Sequence, residues 1–133
     1  IDSYDAEDVV YLIEADDARA AVTASARLLP TVRPHLLNEV FSCLCDGPPP
    51  SGPRVWEATR FCPAPGTPRG SARHEALLRM IGAIMETGLL FGIERITYVA
   101  SAALAPLAEG AGWSVAPLGA EKRVGREKLR AYV

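Results

Sequence analysis

The chain has 133 residues, enough for one domain with a buried core, and is 49% hydrophobic and 23% charged. A net charge of −2 gives no reason to expect nucleic acid as a partner. No apolar run approaches the roughly 20 residues needed to cross a bilayer, so no membrane partner is expected either.

The opening Ile1-Asp2-Ser3-Tyr4-Asp5 is acidic where a signal peptide would be basic, which favours a cytoplasmic location. The three cysteines, Cys43, Cys45 and Cys62, are odd in number and lack the spacing of a zinc site. They are expected to be reduced thiols, with no metal.

In chain order, Asp8 to Ala15 is β-branched and aromatic and predicts a strand. Asp16 to Arg19 is a polar turn, and Ala20 to Leu29 predicts a second strand that closes a hairpin. Thr23, Ser25 and Arg27 alternate there with Ala24, Ala26 and Leu28, giving one polar and one small apolar face. Pro30 and Pro34 stop the strand. From His35 to Leu44 the apolar spacing predicts a short amphipathic helix carrying Leu36, Leu37, Val40, Phe41 and Leu44.

The third strand, Arg54 to Phe61, is bounded by a Pro/Gly break before and Cys62-Pro63 after. Strict alternation puts Val55, Glu57, Thr59 and Phe61 on one face, and Trp56, Ala58 and Arg60 on the other. Burying an acid or a guanidinium unpaired is costly, so Glu57 and Arg60 each need a partner or a cleft. A β-bulge would bring the two to one cleft, which alternation forbids. Trp56 reads most simply as a core aromatic.

After a loop from Pro63 to Gly70, Ser71 is placed as the N-cap of a helix with His74 and Glu75 in its first turn. His74 reads as a solvated or capping residue. The apolar stripe is taken as Leu77, Leu78, Ile81, Ile84, Met85 and Leu89, with Met80 also in the core, and Gly88 or Gly92 as the C-cap. Ile93 to Ala100 predicts a strand, and Ser101 to Ala111 a short helix. Trp113 to Leu118 and Lys128 to Val133 predict two last strands, joined by a basic linker with Lys122, Arg123 and Arg126. The order β-β-α-β-α-β-α-β-β implies an α/β fold with a mixed sheet.

Several of these pieces are similar to the acyl-homoserine-lactone synthases, LuxI-type autoinducer synthases related to the GNAT acetyltransferases. They are Asp2-Ser3-Tyr4-Asp5, Arg27-Leu28-Leu29-Pro30-Thr31 with Pro34 and Leu37, Val55-Trp56-Glu57-Ala58-Thr59-Arg60-Phe61, and Gly92 with Ala111-Gly112-Trp113. The resemblance implies a GNAT-like three-layer α-β-α sandwich with a splayed central sheet, as a single domain over residues 1–133. It implies that the amine of S-adenosylmethionine attacks the thioester of an acyl carrier protein or coenzyme A. The methionyl carboxylate then closes on its γ-carbon, releasing methylthioadenosine and a lactone used in quorum sensing. S-adenosylmethionine is thus a substrate, and no separate cofactor is expected.

The same resemblance makes Glu57, Thr59 and Arg60 the expected catalytic residues, with Asp2, Asp5, Arg27, Trp56 and Phe61 around S-adenosylmethionine. Met80, Ile84, Val99, Ala100 and Leu104 are the expected wall of the acyl-chain pocket. Glu57 is the acid on the central strand able to take the amine proton, alone or through a water. Arg27 or Arg60 suits the substrate carboxylate, and Asp2 or Asp5 the sulfonium. Backbone N–H groups near Ala58 to Phe61 are candidate oxyanion donors. Arg69, Arg73, Arg79, Lys122, Arg123, Arg126 and Lys128 are candidates to meet an acidic carrier protein.

Two departures stand out. The family's N-terminal segment, with an arginine, a phenylalanine and a tryptophan that close the pocket, is absent from these residues, and the chain is expected to be truncated at both ends. Leu104-Ala105-Pro106 replaces the family's Met-Glu-Arg run. The alternatives are another GNAT-like N-acyltransferase, whose Gly-rich pyrophosphate loop is not clean in Gly66 to Ala72, and a degenerate homologue that binds acyl carriers or signals without turnover.

Overall fold

The computed structural model describes residues 2–18 and 20–133. Arg19, in the expected hairpin turn, lies outside them. Strands β1 (Val10–Asp16), β2 (Ala21–Pro30) and β3 (Val55–Pro63) pair antiparallel. β3 then runs parallel to β4 (Arg95–Ala100) through helix α2 (Ser71–Phe91). β6 (Glu127–Tyr132) pairs antiparallel with β4, and β5 (Lys122–Val124) closes the edge, giving the order β1-β2-β3-β4-β6-β5. The α/β class and the mixed sheet are as the sequence leads one to expect.

The alternation in β2 is what assembles the core. Ala24, Ala26 and Leu28 are fully buried and meet Ala76, Met80 and Ile84 of α2. Small alanines let the helix approach closely, so the row Ala76-Met80-Ile84-Gly88, at i, i+4 spacing, faces the sheet. The expected leucine stripe therefore lies partly around the helix: Leu89 is 85% exposed and Met85 44%. Gly70 rather than Ser71 caps α2, and Gly92, left-handed at φ 65°, ends it.

The other sheet face carries a thinner layer. The segment after His35 is not one helix but a single turn, α1 (Leu36–Glu39), followed by a 3₁₀ turn at Ser42–Leu44. The break suffices to bury Leu37 and Leu44 against Ala131 while Val40 turns outward. Short α3 (Ala105–Gly110) follows a turn from Ser101 and tolerates Pro106 within its first two positions. It lies beside α2, over Tyr98, Ala100 and Tyr132.

The C-terminal expectation needs correction. Trp113 to Leu118 forms no full strand, because Pro117 has no N–H to extend a ladder. Ala116 and Val133 still exchange backbone hydrogen bonds of 2.8 and 2.9 Å. The basic linker instead supplies β5, which turns through Gly125 at φ 61° into β6.

Candidate active site

Two departures from regular strand geometry build the site. Arg27 pairs with Thr59 and Ser25 with Cys62, so β3 carries one residue more than β2 across this interval. The extra residue is a β-bulge, and Arg60 adopts a left-handed φ of 51° there. From the bulge onward the faces of β3 are exchanged. Arg60 joins Glu57 and Thr59, while Phe61 joins Trp56 and Ala58 in the α2-facing core. The expectation that Phe61 shares Glu57's face is corrected by this slip, and the bulge anticipated for Glu57 and Arg60 is present.

Left-handed backbone costs a non-glycine residue about 1–2 kcal/mol. Arginine at such a position is retained for its side chain, not its backbone. Arg60→Gly should therefore be about 1 kcal/mol more stable than Arg60→Ala, since both lose the same ion pair and only glycine relieves the backbone. Thermal melts of the two variants measure this difference directly. An alanine variant as stable as the glycine one would mean that the bulge relaxes.

The second departure is a separation of strands. β3 and β4 pair from Val55↔Arg95 to Ala58↔Tyr98 and then diverge. Between them opens a cleft of about 820 Å³. Its walls come from Ala58 to Phe61 on β3, from Leu77, Ile81 and Ile84 on α2, and from Tyr98 to Leu104. Of the expected acyl-chain residues, Ile84, Val99, Ala100 and Leu104 line it. Met80 does not; it is buried in the core beneath α2. Trp56 is likewise a core residue, 5.8 Å from the Phe91 ring, and is not a cleft residue.

Beside this cleft the charged residues form one network. Arg27 is fully buried, yet its Nη1 reaches Asp2 and Asp5 at 2.8 Å each and its Nε reaches the Thr59 hydroxyl at 3.0 Å. Arg60 Nη2 donates to Asp2 at 2.7 Å. The hydrogen bond from Arg27 holds the Asp2 carboxyl below the ordinary range, with Tyr4 N–H and Arg60 adding to it against partial burial. Asp5 is held well below that range by the Tyr11 hydroxyl first, then by the Asp2 N–H and Arg27.

The two arginines are thereby distinguished. Arg27 is enclosed and committed to its partners, whereas the Arg60 side chain is 42% exposed and lines the cleft. Arg60 is the one of the two that presents its guanidinium to the cleft.

Glu57 is 1% exposed and does not line the cleft itself. Its Oε1 accepts from the Leu37 N–H at 2.9 Å, which ties β3 to the start of α1. Its Oε2 is buried without a hydrogen-bond partner among the described residues. Burial pushes the carboxyl up to about 7, against the pull of the Leu37 and Leu36 N–H groups and of Arg27. A base near 7 suits a substrate amine whose own pKa is about 8.

Sequence reasoning passed over Tyr11 and Tyr98. Tyr11 stands opposite Arg27 only because the hairpin register slips by one residue between Glu14 and Ala15; counting back from the turn would have paired it with Ala26. Tyr98 shares a face with Ala100 by strand alternation and stacks on Tyr132 at 5.1 Å. Burial pushes its hydroxyl up to about 12, helped by Tyr132 and Glu109. His74 is exposed in the first turn of α2, and all three cysteines are free. Among the described residues, no group of three or more His, Cys, Asp or Glu could hold a metal ion, and no helix is long and apolar enough to cross a membrane.

Comparison with known proteins places this geometry in a family. An acyl-homoserine-lactone synthase of Ralstonia solanacearum is 38% identical over 99 residues, covering 71% of this chain and 48% of its own length. The chain thus spans about half the length of that relative. The solved structure of BjaI, described as a coenzyme A-dependent acyl-homoserine lactone synthase with S-adenosylmethionine and isopentyl-CoA, is 32% identical. It superposes with a TM-score of 0.84 over 99% of this chain and 60% of its own. The fold alone is shared with a candidate phosphinothricin N-acetyltransferase, at 15% identity and a TM-score of 0.58 over 98% of this chain and 73% of that one. The autoinducer synthase family model matches residues 1–133. The chain belongs to the autoinducer synthase family.

Proposed function

We propose that the full-length protein is an acyl-homoserine-lactone synthase that consumes S-adenosylmethionine and an acyl thioester and releases methylthioadenosine. The observation that carries this reading is the network of Asp2, Asp5, Arg27 and Arg60 set against an open cleft at the splayed strands. Arg60 takes the carboxylate of S-adenosylmethionine, and Asp2 and Asp5 shape the side nearest its sulfonium. Glu57, through a water, takes the proton of the amine as that amine attacks the thioester carbonyl. The thiol of the carrier leaves with a proton as the amide forms. The methionyl carboxylate then attacks its own γ-carbon, forming the ring C–O bond as the C–S bond to methylthioadenosine breaks.

The acyl chain lies in the cleft against Ile84, Val99, Ala100 and Leu104. Both carriers remain candidate donors: Lys128 lines the cleft, 3.8 Å from Glu121, and Arg79 is drawn into pairs with Glu14 at 2.7 Å and Glu75 at 3.7 Å. The reaction needs no separate cofactor, and both substrates belong to the cytoplasm. Incubating the full-length protein with S-adenosylmethionine and acyl thioesters, and assaying methylthioadenosine and lactone, tests the proposal. An N-acylated amine formed without methylthioadenosine would point instead to a simple N-acyltransferase.

The chain type follows from Ala100. The resemblance implies a threonine at this position in many family members, with a hydroxyl that would favour 3-oxo chains. Alanine donates nothing, and the Tyr98 hydroxyl on the same face is sealed from solvent. A 3-oxo oxygen left unpaired there costs ~1–3 kcal/mol. The isopentyl chain in the BjaI structure likewise has no such oxygen. The natural product is expected to lack the 3-oxo group, and Ala100→Thr to shift preference toward 3-oxo thioesters. Direct competition between the two thioester types measures both, and a wild-type preference for 3-oxo chains contradicts this assignment.

A further inference from the structure

Tyr11 is 45% exposed on an edge strand, so its ring contributes little to the core. Its hydroxyl nonetheless sits at a junction. It donates to Asp5 Oδ1 and accepts from Arg60 Nη1 at 3.3 Å, reaching across β2 to β3. Arg60 Nη2 holds Asp2, while Asp2 and Asp5 both hold Arg27 Nη1. The contacts close a ring: Arg27, Asp5, Tyr11, Arg60, Asp2 and back to Arg27.

We propose, on the synthase reading above, that Tyr11 is a positioning residue whose hydroxyl closes this ring and aims the Arg60 guanidinium into the cleft. A guanidinium held by one carboxylate at one nitrogen can swing about that contact. Held at both terminal nitrogens, by Asp2 on one side and Tyr11 on the other, its plane is fixed. Its remaining N–H donors are then free to meet a ligand carboxylate in the fork geometry such groups prefer. The left-handed backbone at Arg60 brings the side chain onto this face, and Tyr11 sets its direction once there.

Among the described residues, the groups facing Asp5 include Arg27 from β2, Tyr11 from β1 and, one step further along the ring, Arg60 from β3. Asp2 lies in its own segment and donates its backbone N–H to Asp5 at 2.8 Å. Beyond them Tyr4 is engaged with Glu39 at 2.9 Å and stays outside the ring. Removing the Tyr11 hydroxyl thus takes one donor from Asp5, one acceptor from Arg60 and a contact that favours the Arg27 charge, while the carboxylate pairs of Arg27 and Arg60 stay in place.

The test is Tyr11→Phe in the full-length protein. The KM for S-adenosylmethionine should rise roughly ten- to a hundredfold, the worth of one hydrogen bond to a charged group. The KM for the acyl thioester should stay within about twofold, and the melting temperature at pH 7 should fall by only a few degrees, since phenylalanine keeps the ring packing and only the hold on Asp5 weakens. By ¹³C NMR the Asp5 carboxyl should titrate at higher pH in the variant, because the Tyr11 hydroxyl is the strongest of the contacts holding it down. An unchanged KM for S-adenosylmethionine, an equal rise for both substrates, or an unmoved Asp5 titration would overturn the assignment. If wild-type protein releases no methylthioadenosine, the synthase reading fails separately, and the Asp5 titration still decides whether Tyr11 holds the ring.

Discussion

Glu57→Gln is expected to lower turnover by ~10²–10⁴-fold, the range for loss of a positioned general base, while leaving the fold intact. The glutamine carbonyl can still accept from the Leu37 N–H, so the tie between β3 and α1 survives. Only the basicity is removed. The pH dependence gives a second readout. With its carboxyl raised to about 7, wild type should gain activity as pH rises through that value, and the variant should lose this limb.

Stability should move the opposite way. A carboxyl raised above its unfolded value of 4.5 stabilises the fold below that pH, and this contribution is lost as pH rises through about 7. At roughly 1.4 kcal/mol per pKa unit, the loss is on the order of 3 kcal/mol. Glutamine cannot ionise, so the variant should match or exceed wild type in melting temperature at pH 8 and lose that advantage at pH 5. Near-normal turnover in Glu57→Gln would make Glu57 a structural anchor for α1 and end the general-base assignment.

What the sequence could reveal here depended on how local each determinant is. The alternation of Thr23, Ser25 and Arg27 with Ala24, Ala26 and Leu28 is a property of consecutive residues, so it correctly marks the core face of β2. The identity of Arg60 and Glu57 as residues in need of a cleft was equally legible, because charge in a short strand demands a partner. The side on which Phe61 falls was not. It depends on one residue of register between two strands separated by some thirty positions.

Tyr11 escaped for the same reason. Its importance lies in standing opposite Arg27 and within reach of Arg60, which composition does not encode. The leucine stripe of α2 failed differently: Leu89 and Met85 fit a helical period, but the small face of β2 admits the row through Met80 instead. At the C-terminus Pro117 and Gly125 carried the information in plain view. One cannot join a ladder and the other favours a turn, and together they move the last hairpin onto the basic segment.

Arg27→Ala should be the most damaging substitution for the fold. Breaking a buried pair costs ~3–5 kcal/mol, and the lower end applies here, because the Asp2 side chain keeps 38% exposure and can turn to water. For a domain of this size, about 3 kcal/mol corresponds to a fall of roughly 10 °C in melting temperature. The pH dependence shows where the loss comes from. Asp2 and Asp5 are held below their unfolded value of 3.8, so they stabilise the protein above that pH, and this is lost as pH falls through their folded values. Without Arg27, Asp2 loses its strongest contact, whereas Asp5 keeps the Tyr11 hydroxyl and the Asp2 N–H. The variant should therefore melt lower at pH 7 and depend less steeply on pH below 4, with the two proteins converging in acid. Arg27→Lys, which keeps the charge but not the fork that also reaches Thr59, should fall between them. Thermal melts from pH 7 to pH 2 measure the series, and an alanine variant with wild-type melting and wild-type acid slope would remove Arg27 from the centre of the network.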